Sequence, residues 1–223
     1  MINYAVDQAL LKPFVPANTE LDTWNNKCYV SLVGFMFQNT KVRGIKIPFH
    51  VNFEEVNLRF YVQYRHRAEW RRGVVFIQEI VPRPAITWVA NTIYGEHYRT
   101  LPMHHEWQQQ DDVMLVNYDW LYKRWHSIKA EAQNELKEIP QGSEAEFITE
   151  HYWGYTKQND RTTSEYGVEH PRWKIYPIKN YLVDVDFGLV YGKNFSFLSH
   201  EIPKSVFLAE GSEIKVLQGN RIK

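Results

Sequence analysis

The chain has 223 residues, with 26 basic and 26 acidic side chains and a formal net charge of zero. That balance speaks against a nucleic-acid partner held by phosphate neutralisation, which needs a basic excess on some face. The length suits one β-rich domain over residues 1–223, large enough to bury roughly 70% of its unfolded surface. Aromatic residues make up 15% of the chain, a composition that favours strands and pocket walls.

Cys28 is the sole cysteine, so no disulfide can form within the chain. It lies in the apolar run Cys28–Val33 and reads as core. No basic segment followed by an apolar stretch opens the sequence, and no run approaches the roughly 20 apolar residues of a membrane helix. A cytoplasmic protein with no membrane partner is expected.

Residues 1–12 predict a short helix, broken by Pro13 and Pro16. A strand is expected over Tyr29–Phe37. After Pro48 comes a strand over 54–64, and the charged stretch Arg65–Arg72 predicts a hairpin turn closed by Gly73. Val74–Val81 is apolar on both faces apart from Gln78 and Glu79, the pattern of a central strand. Ile86, Val89, Ala90 and Ile93 recur at helical spacing, with Gly95 as the stop. Met103–Gln109 and Val113–His126 predict two strands around Gln110-Asp111-Asp112, although 118–136 is also helical by composition. Ser143 and Glu146 form a capping box for a helix over 144–151. A hairpin is expected around Glu210-Gly211. The resulting fold class is mainly β, a closed antiparallel barrel with two or three short flanking helices.

The most informative stretch is Phe53–Gln63. Val56, Leu58, Phe60 and Val62 point one way; Glu55, Asn57, Arg59 and Tyr61 point the other. Neighbours two apart are separated by about 7 Å, and Glu55 and Arg59 by about 13 Å, so those two cannot pair along the strand. Facing inward, each needs a cross-strand partner, water or ligand. The row is therefore either a pocket wall or a structural ion-pair network.

Two further clusters carry chemistry-bearing residues. Glu169-His170-Pro171-Arg172-Trp173 sets a His and an Arg about a rigid Pro, suited to a carboxylate ligand or acid–base work, or simply to a surface turn. His104 and Glu106 share a strand face, but no HxH or HExxH spacing supports a metal centre, and the other histidines, His50 included, are scattered. No glycine-rich phosphate loop, Walker pattern or nucleophile elbow occurs, and no cofactor is expected.

Five segments in register resemble the YqjF-like family of bacterial proteins, a domain of unknown function. They are Pro16–Thr23, Glu55–Val62, Gly73–Phe76, Phe147–Tyr152 and Val168–Trp173. That family is similar in fold to acetoacetate decarboxylase, a closed β-barrel around a cavity in which a lysine forms a Schiff base and a neighbouring lysine lowers its pKa. The resemblance places the lysine pair on Tyr98 and Arg99, neither of which can form an imine. No lysine occurs between Lys46 and Lys123. What it implies instead is a cavity in which Glu55 is a wall carboxylate and Arg59, Tyr98 and Arg99 meet an anionic or carbonyl-bearing molecule. Three functions compete: a barrel that binds a small organic acid or carbonyl compound; a lysine-independent acid–base enzyme (lyase or hydrolase); and a packed structural protein. In the second, Glu55 or His170 carries the proton and Arg59 or Arg99 is the oxyanion partner. Candidate ligand contacts are Glu55, Asn57, Arg59, Tyr61, Tyr98, Arg99 and Arg172. Edge strands and surface aromatics permit a homo-oligomer.

Overall fold

The computed structural model describes residues 1–38 and 52–223, and the backbone alone at Ile93 and Tyr94. Pro48 and His50 lie outside the described residues. In chain order, β1 (Ile2–Val6), α1 (Gln8–Leu11) and β2 (Glu20–Leu21) lead to β3 (Cys28–Phe37). The long hairpin of β4 (Phe53–His66) and β5 (Glu69–Val81) follows. Next, α2 (Pro84–Val89) runs into a π turn over Ala90–Tyr94 and then β6 (Tyr98–Thr100). A meander comes after it, formed by β7 (Met103–Gln110), β8 (Val113–Tyr122) and β9 (Arg124–Gln133). The remainder begins with α3 (Glu144–Thr149), β10 (Trp153–Asn159) and β11 (Thr162–Glu169). It continues through β12 (Ile175–Tyr176), β13 (Ile178–Asp184) and α4 (Phe187–Tyr191). Four short strands close it: β14 (Ser205–Val206), β15 (Leu208–Ala209), β16 (Lys215–Val216) and β17 (Asn220–Ile222).

The main sheet runs β14-β1-β3-β4-β5-β10-β11-β16, with β2, β6 and β17 attached at its sides, and a second sheet runs β13-β9-β8-β7. The expected closed antiparallel barrel is not what the described residues form. The outermost strands β14 and β16 do not pair with each other, and β5 pairs in parallel with both β6 and β10. Parallel neighbours need a crossover connection, which a simple meander lacks. Here α2 supplies it for β6, and β7, β8 and β9 with α3 intervene before β10. The helices number four short α-helices among the described residues, one or two more than expected.

The predicted alternation of β4 divides its two faces. Val56, Leu58, Phe60 and Val62 join Val30 and Leu32 in the main core, against Tyr118, Trp120 and Ile128 of the second sheet and Phe187 of α4. Gly34 makes this contact possible: a Cβ there would stand 2.8 Å from the Tyr118 ring and 2.9 Å from Ile128. On the other face Tyr29, Tyr61 and Val74 bury against Phe147 and Ile148 of α3. The predicted cap holds α3, since Ser143 Oγ accepts from Glu146 N at 3.2 Å. The helix stops at Thr149, two residues earlier than expected.

Several local expectations change. The N-terminal segment is a strand before it is a helix, because Ile2 and Tyr4 bury on the core side while β1 pairs with β3. The Arg65–Arg72 turn tightens to its tip: Arg65 pairs with Trp70 and His66 with Glu69, with Arg67 at φ 55°. The strand predicted over 113–126 is two strands reversing at Lys123, whose φ is 61°, and 118–136 is not helical. The hairpin around Gly211 is absent, since β15 pairs with β12 and β16 with β11.

Candidate functional site

The polar row of β4 faces inward, but it splits between two neighbourhoods. Glu55 and Asn57 are buried. Asn57 Nδ2 donates to Glu55 Oε1 at 2.9 Å, and the Tyr98 hydroxyl donates to Glu55 Oε2 at 3.0 Å. The register sets Glu79 opposite Asn57 and beside Tyr98. Tyr98 is held by its backbone: its N–H donates to Asn91 Oδ1 at 2.7 Å and its carbonyl accepts from Asn91 Nδ2 at 2.9 Å. The π turn ends at Gly95 in the left-handed region, φ 70°, as the sequence predicts for a helix stop, and delivers Glu96. Glu96 Oε1 accepts from Thr156 Oγ1 of β10 at 2.6 Å. From β11, Tyr166 lies over Gly154, where a Cβ would come within 2.1 Å of its ring.

Three carboxyl groups therefore meet, Glu55 from β4, Glu79 from β5 and Glu96 from the turn before β6, and Glu96 acts on the other two. Burial pushes Glu55 up to about 7; hydrogen bonds from Asn57 and Tyr98 oppose the rise, Glu96 adds to it, and the Arg59 charge opposes it. Burial raises Glu79 well above the carboxylate range, reinforced by Glu55 and Glu96. Glu96 is also raised by burial to about 7, against the hydrogen bond from Thr156. Burial followed by these carboxylates keeps Tyr98 and Tyr166 protonated. Three polar atoms here are buried without a hydrogen-bond partner: Asn57 Oδ1, Arg59 Nε and Glu79 Oε2.

The other expected residues lie elsewhere. Tyr61 faces the same side but packs under α3, its hydroxyl 2.6 Å from Ser31 Oγ and its ring 4.6 Å from that of His151. Beside it, Asp22 Oδ2 accepts from Arg72 Nε at 2.6 Å and lies 3.1 Å from His151 Nε2. Arg99 points to the opposite face from Tyr98, as successive strand residues must, with its guanidinium 4.8 Å from the Tyr122 ring centroid. His170 is stacked between Tyr152 and Trp173 at 4.6 and 4.3 Å. Arg172 is tied to Glu146 at 2.7 Å and to the Ile139 carbonyl at 2.9 Å. His170 is half-buried and Arg172 exposed, and neither makes a hydrogen bond or ion pair with Glu55 among the described residues.

His104 and Glu106 have different partners, Asp119 at 3.6 Å and Gln108. Sequence reasoning missed Glu79, Glu96 and Tyr166. The available signal was a lone carboxylate, Glu79, in a strand apolar on both faces.

Solved structures of acetoacetate decarboxylase and of related enzymes share the fold of this chain. Acetoacetate decarboxylase from Legionella pneumophila matches with a TM-score of 0.58 at 10% identity, over 99% of this chain and 79% of that one. The enduracididine biosynthesis enzyme MppR matches with a TM-score of 0.62 at 11% identity, over 99% and 84%. At such identities the likeness is one of fold. The chain belongs to the DUF2071 family, described as an uncharacterized conserved protein, whose family model matches residues 1–213. It is 27% identical over 178 residues to the uncharacterized protein YqjF of Bacillus subtilis, covering 77% of this chain and 69% of that protein.

Proposed function

We propose that this protein binds a small carbonyl-bearing organic acid against Glu55, Asn57, Arg59 and Tyr98, and that Glu55 exchanges a proton with it. The observation that carries this reading is the set of buried, unfilled polar atoms, Asn57 Oδ1, Arg59 Nε and Glu79 Oε2, on the same sheet face as a carboxyl that titrates near neutrality. Unpaired buried polar groups are costly, and a ligand offering both donors and acceptors would satisfy them. A carboxyl poised near 7 gives and takes protons at neutral pH. The Arg59 guanidinium, whose field reaches Glu55, suits the carboxylate or a developing enolate oxygen.

The side chains named here include no amine, so the reading contains no imine step and the decarboxylase lysine chemistry does not carry over. A protein of the same fold, MppR, is described complexed with pyruvate, which favours keto acids as first probes. The free, buried Cys28 is compatible with a cytoplasmic setting.

A thermal-shift screen of keto and hydroxy acids tests binding, and exchange of their α-hydrogens in deuterated water tests proton transfer. Stabilisation is expected with at least one acid and is lost in Arg59→Ala. Exchange, but not binding, is lost in Glu55→Gln. No response to any acid would refute the reading, and a borohydride-trapped adduct would refute the exclusion of an imine.

A further inference from the structure

We infer that a second ligand site, for a small oxyanion, lies on the opposite face of β4 around Arg83, His105 and Glu54. Successive strand residues point to opposite sides, so Glu54 turns away from the Glu55 cluster. It lines a pocket of about 370 Å³ with Met36, Gln38, Asn52, Arg83 and His105. That volume lies at the lower end of small-molecule sites. His105 Nδ1 is 2.8 Å from Glu54 Oε1, an arrangement that fixes the ring and leaves Nε2 on its far side. Two aromatic neighbours hold the ring: Tyr118 is near parallel at 6.5 Å and Trp107 edge-on at 6.2 Å. Trp107 Nε1 in turn donates to the Tyr118 hydroxyl at 3.2 Å. These contacts place a preorganised imidazole at the wall of a pocket, where a loosely held surface histidine would swing free.

The sign of the ligand follows from Arg83. Its Nε is buried and has no hydrogen-bond partner, and it forms no ion pair among the described residues. Residues 39–51 contain no Asp or Glu that could serve instead. Glu54 Oε1 is engaged by His105 Nδ1, and Arg83, the fixed cation of the lining, has no carboxylate partner among the described residues. Its backbone is extended, φ −120° and ψ 102°, as the residue before Pro84 must be, and its side chain caps nothing. A carboxylate or phosphate oxygen would fill the empty Nε position in the forked geometry that guanidinium favours.

The test is an NMR titration of the full chain, following the Arg83 Nε–H and His105 ring signals, with inorganic phosphate in one arm and acetate in the other. Saturable shifts are expected in at least one arm; which one identifies a phosphate or a carboxylate as the ligand chemistry. Arg83→Gln should weaken that affinity about tenfold or more. Arg59→Ala and Glu55→Gln should leave it unchanged, which separates this site from the one proposed above. Shifts that grow linearly without saturation, or an Arg83→Gln variant that binds as tightly as the parent, would overturn the inference. Should that variant fail to fold, Arg83→Lys, which keeps the charge but loses the fork, must bind more weakly for the inference to survive.

Discussion

Two buried polar clusters lie on one face of the main sheet and treat their carboxyl groups in opposite ways. In the first, Asp22 meets Arg72 and His151 directly. Burial alone would raise Asp22, but the hydrogen bonds from His151 and Arg72 outweigh it and hold the group below the usual carboxylate range. In the second, Glu55, Glu79 and Glu96 have neutral partners, and burial raises all three. Burial therefore does not decide a carboxyl's state; the charge placed beside it does. A carboxylate already paired has little left to offer a ligand. A crowded set of carboxyls, partly protonated and partly unsatisfied, has both protons and vacant positions.

The difference is open to direct attack by removing one carboxylate from each cluster. Asp22→Asn keeps the volume but strands Arg72 and the buried His151. Arg72 is about one-third exposed, which tempers the loss to about 3 kcal/mol in denaturant unfolding at pH 7. Glu55→Gln imitates the protonated acid and should be neutral or stabilising at the same pH. Equal destabilisation by both variants would erase the distinction.

Acid and base limbs of the stability curve sharpen it further. His151 is lowered to about 4, with burial the main cause. The unfolded chain then binds that proton first, so stability falls as pH drops from about 6.5 toward 4. Glu55 and Glu96, raised to about 7, work the other way. The folded chain holds their protons longer than the unfolded one, and stability falls as pH rises from the ordinary carboxylate range through 7. Glu55→Gln should remove part of the upper loss, an effect of order 2 kcal/mol by pH 8. Urea midpoints for parent and variant at pH 5 and pH 8 measure it. A gap that does not widen with pH would mean that Glu55 is ionised throughout.

Gly154 connects packing to the second cluster. Gly154→Ala forces Tyr166 off its place over the backbone and should cost about 1–3 kcal/mol, read from thermal unfolding. The same substitution should perturb the titration of Glu96, on whose field Tyr166 depends, and leave His151 untouched. A disturbed His151 would mean that the two clusters are mechanically one.

The alternation Val56/Leu58/Phe60/Val62 against Glu55/Asn57/Arg59/Tyr61 was readable because a strand has a period of two and the two sets differ in chemistry. What one strand cannot disclose is which neighbour completes it. Glu79 reaches Glu55 through the β4–β5 register, and Glu96 through a turn that ends at Gly95. Tyr166 arrives from β11, more than 100 residues along the chain from Glu55. Tyr61 packs under α3 while Glu55 on the same face does not join that cluster's contacts, a tertiary fact with no local signature. Arg99 was assigned with Tyr98 by resemblance, when strand alternation alone sends the two to opposite faces.

Tyr98→Phe gives the smallest effect and the finest discrimination. The tyrosine hydroxyl donates to Glu55 Oε2, a bond that favours the ionised carboxylate and opposes the rise caused by burial. Its removal should move the Glu55 titration further up and cost only about 1 kcal/mol of stability. The carboxyl stretch of protonated Glu55, followed by infrared difference spectroscopy across neutral pH, reports the shift directly. In the Asp22 cluster the equivalent deletion, Tyr61→Phe, removes a partner of Ser31 and not of a carboxylate. It should leave every titration in place. If Tyr61→Phe moved the Glu55 signal as far as Tyr98→Phe does, the field around Glu55 would extend under α3 and the two clusters would have to be treated as a single site.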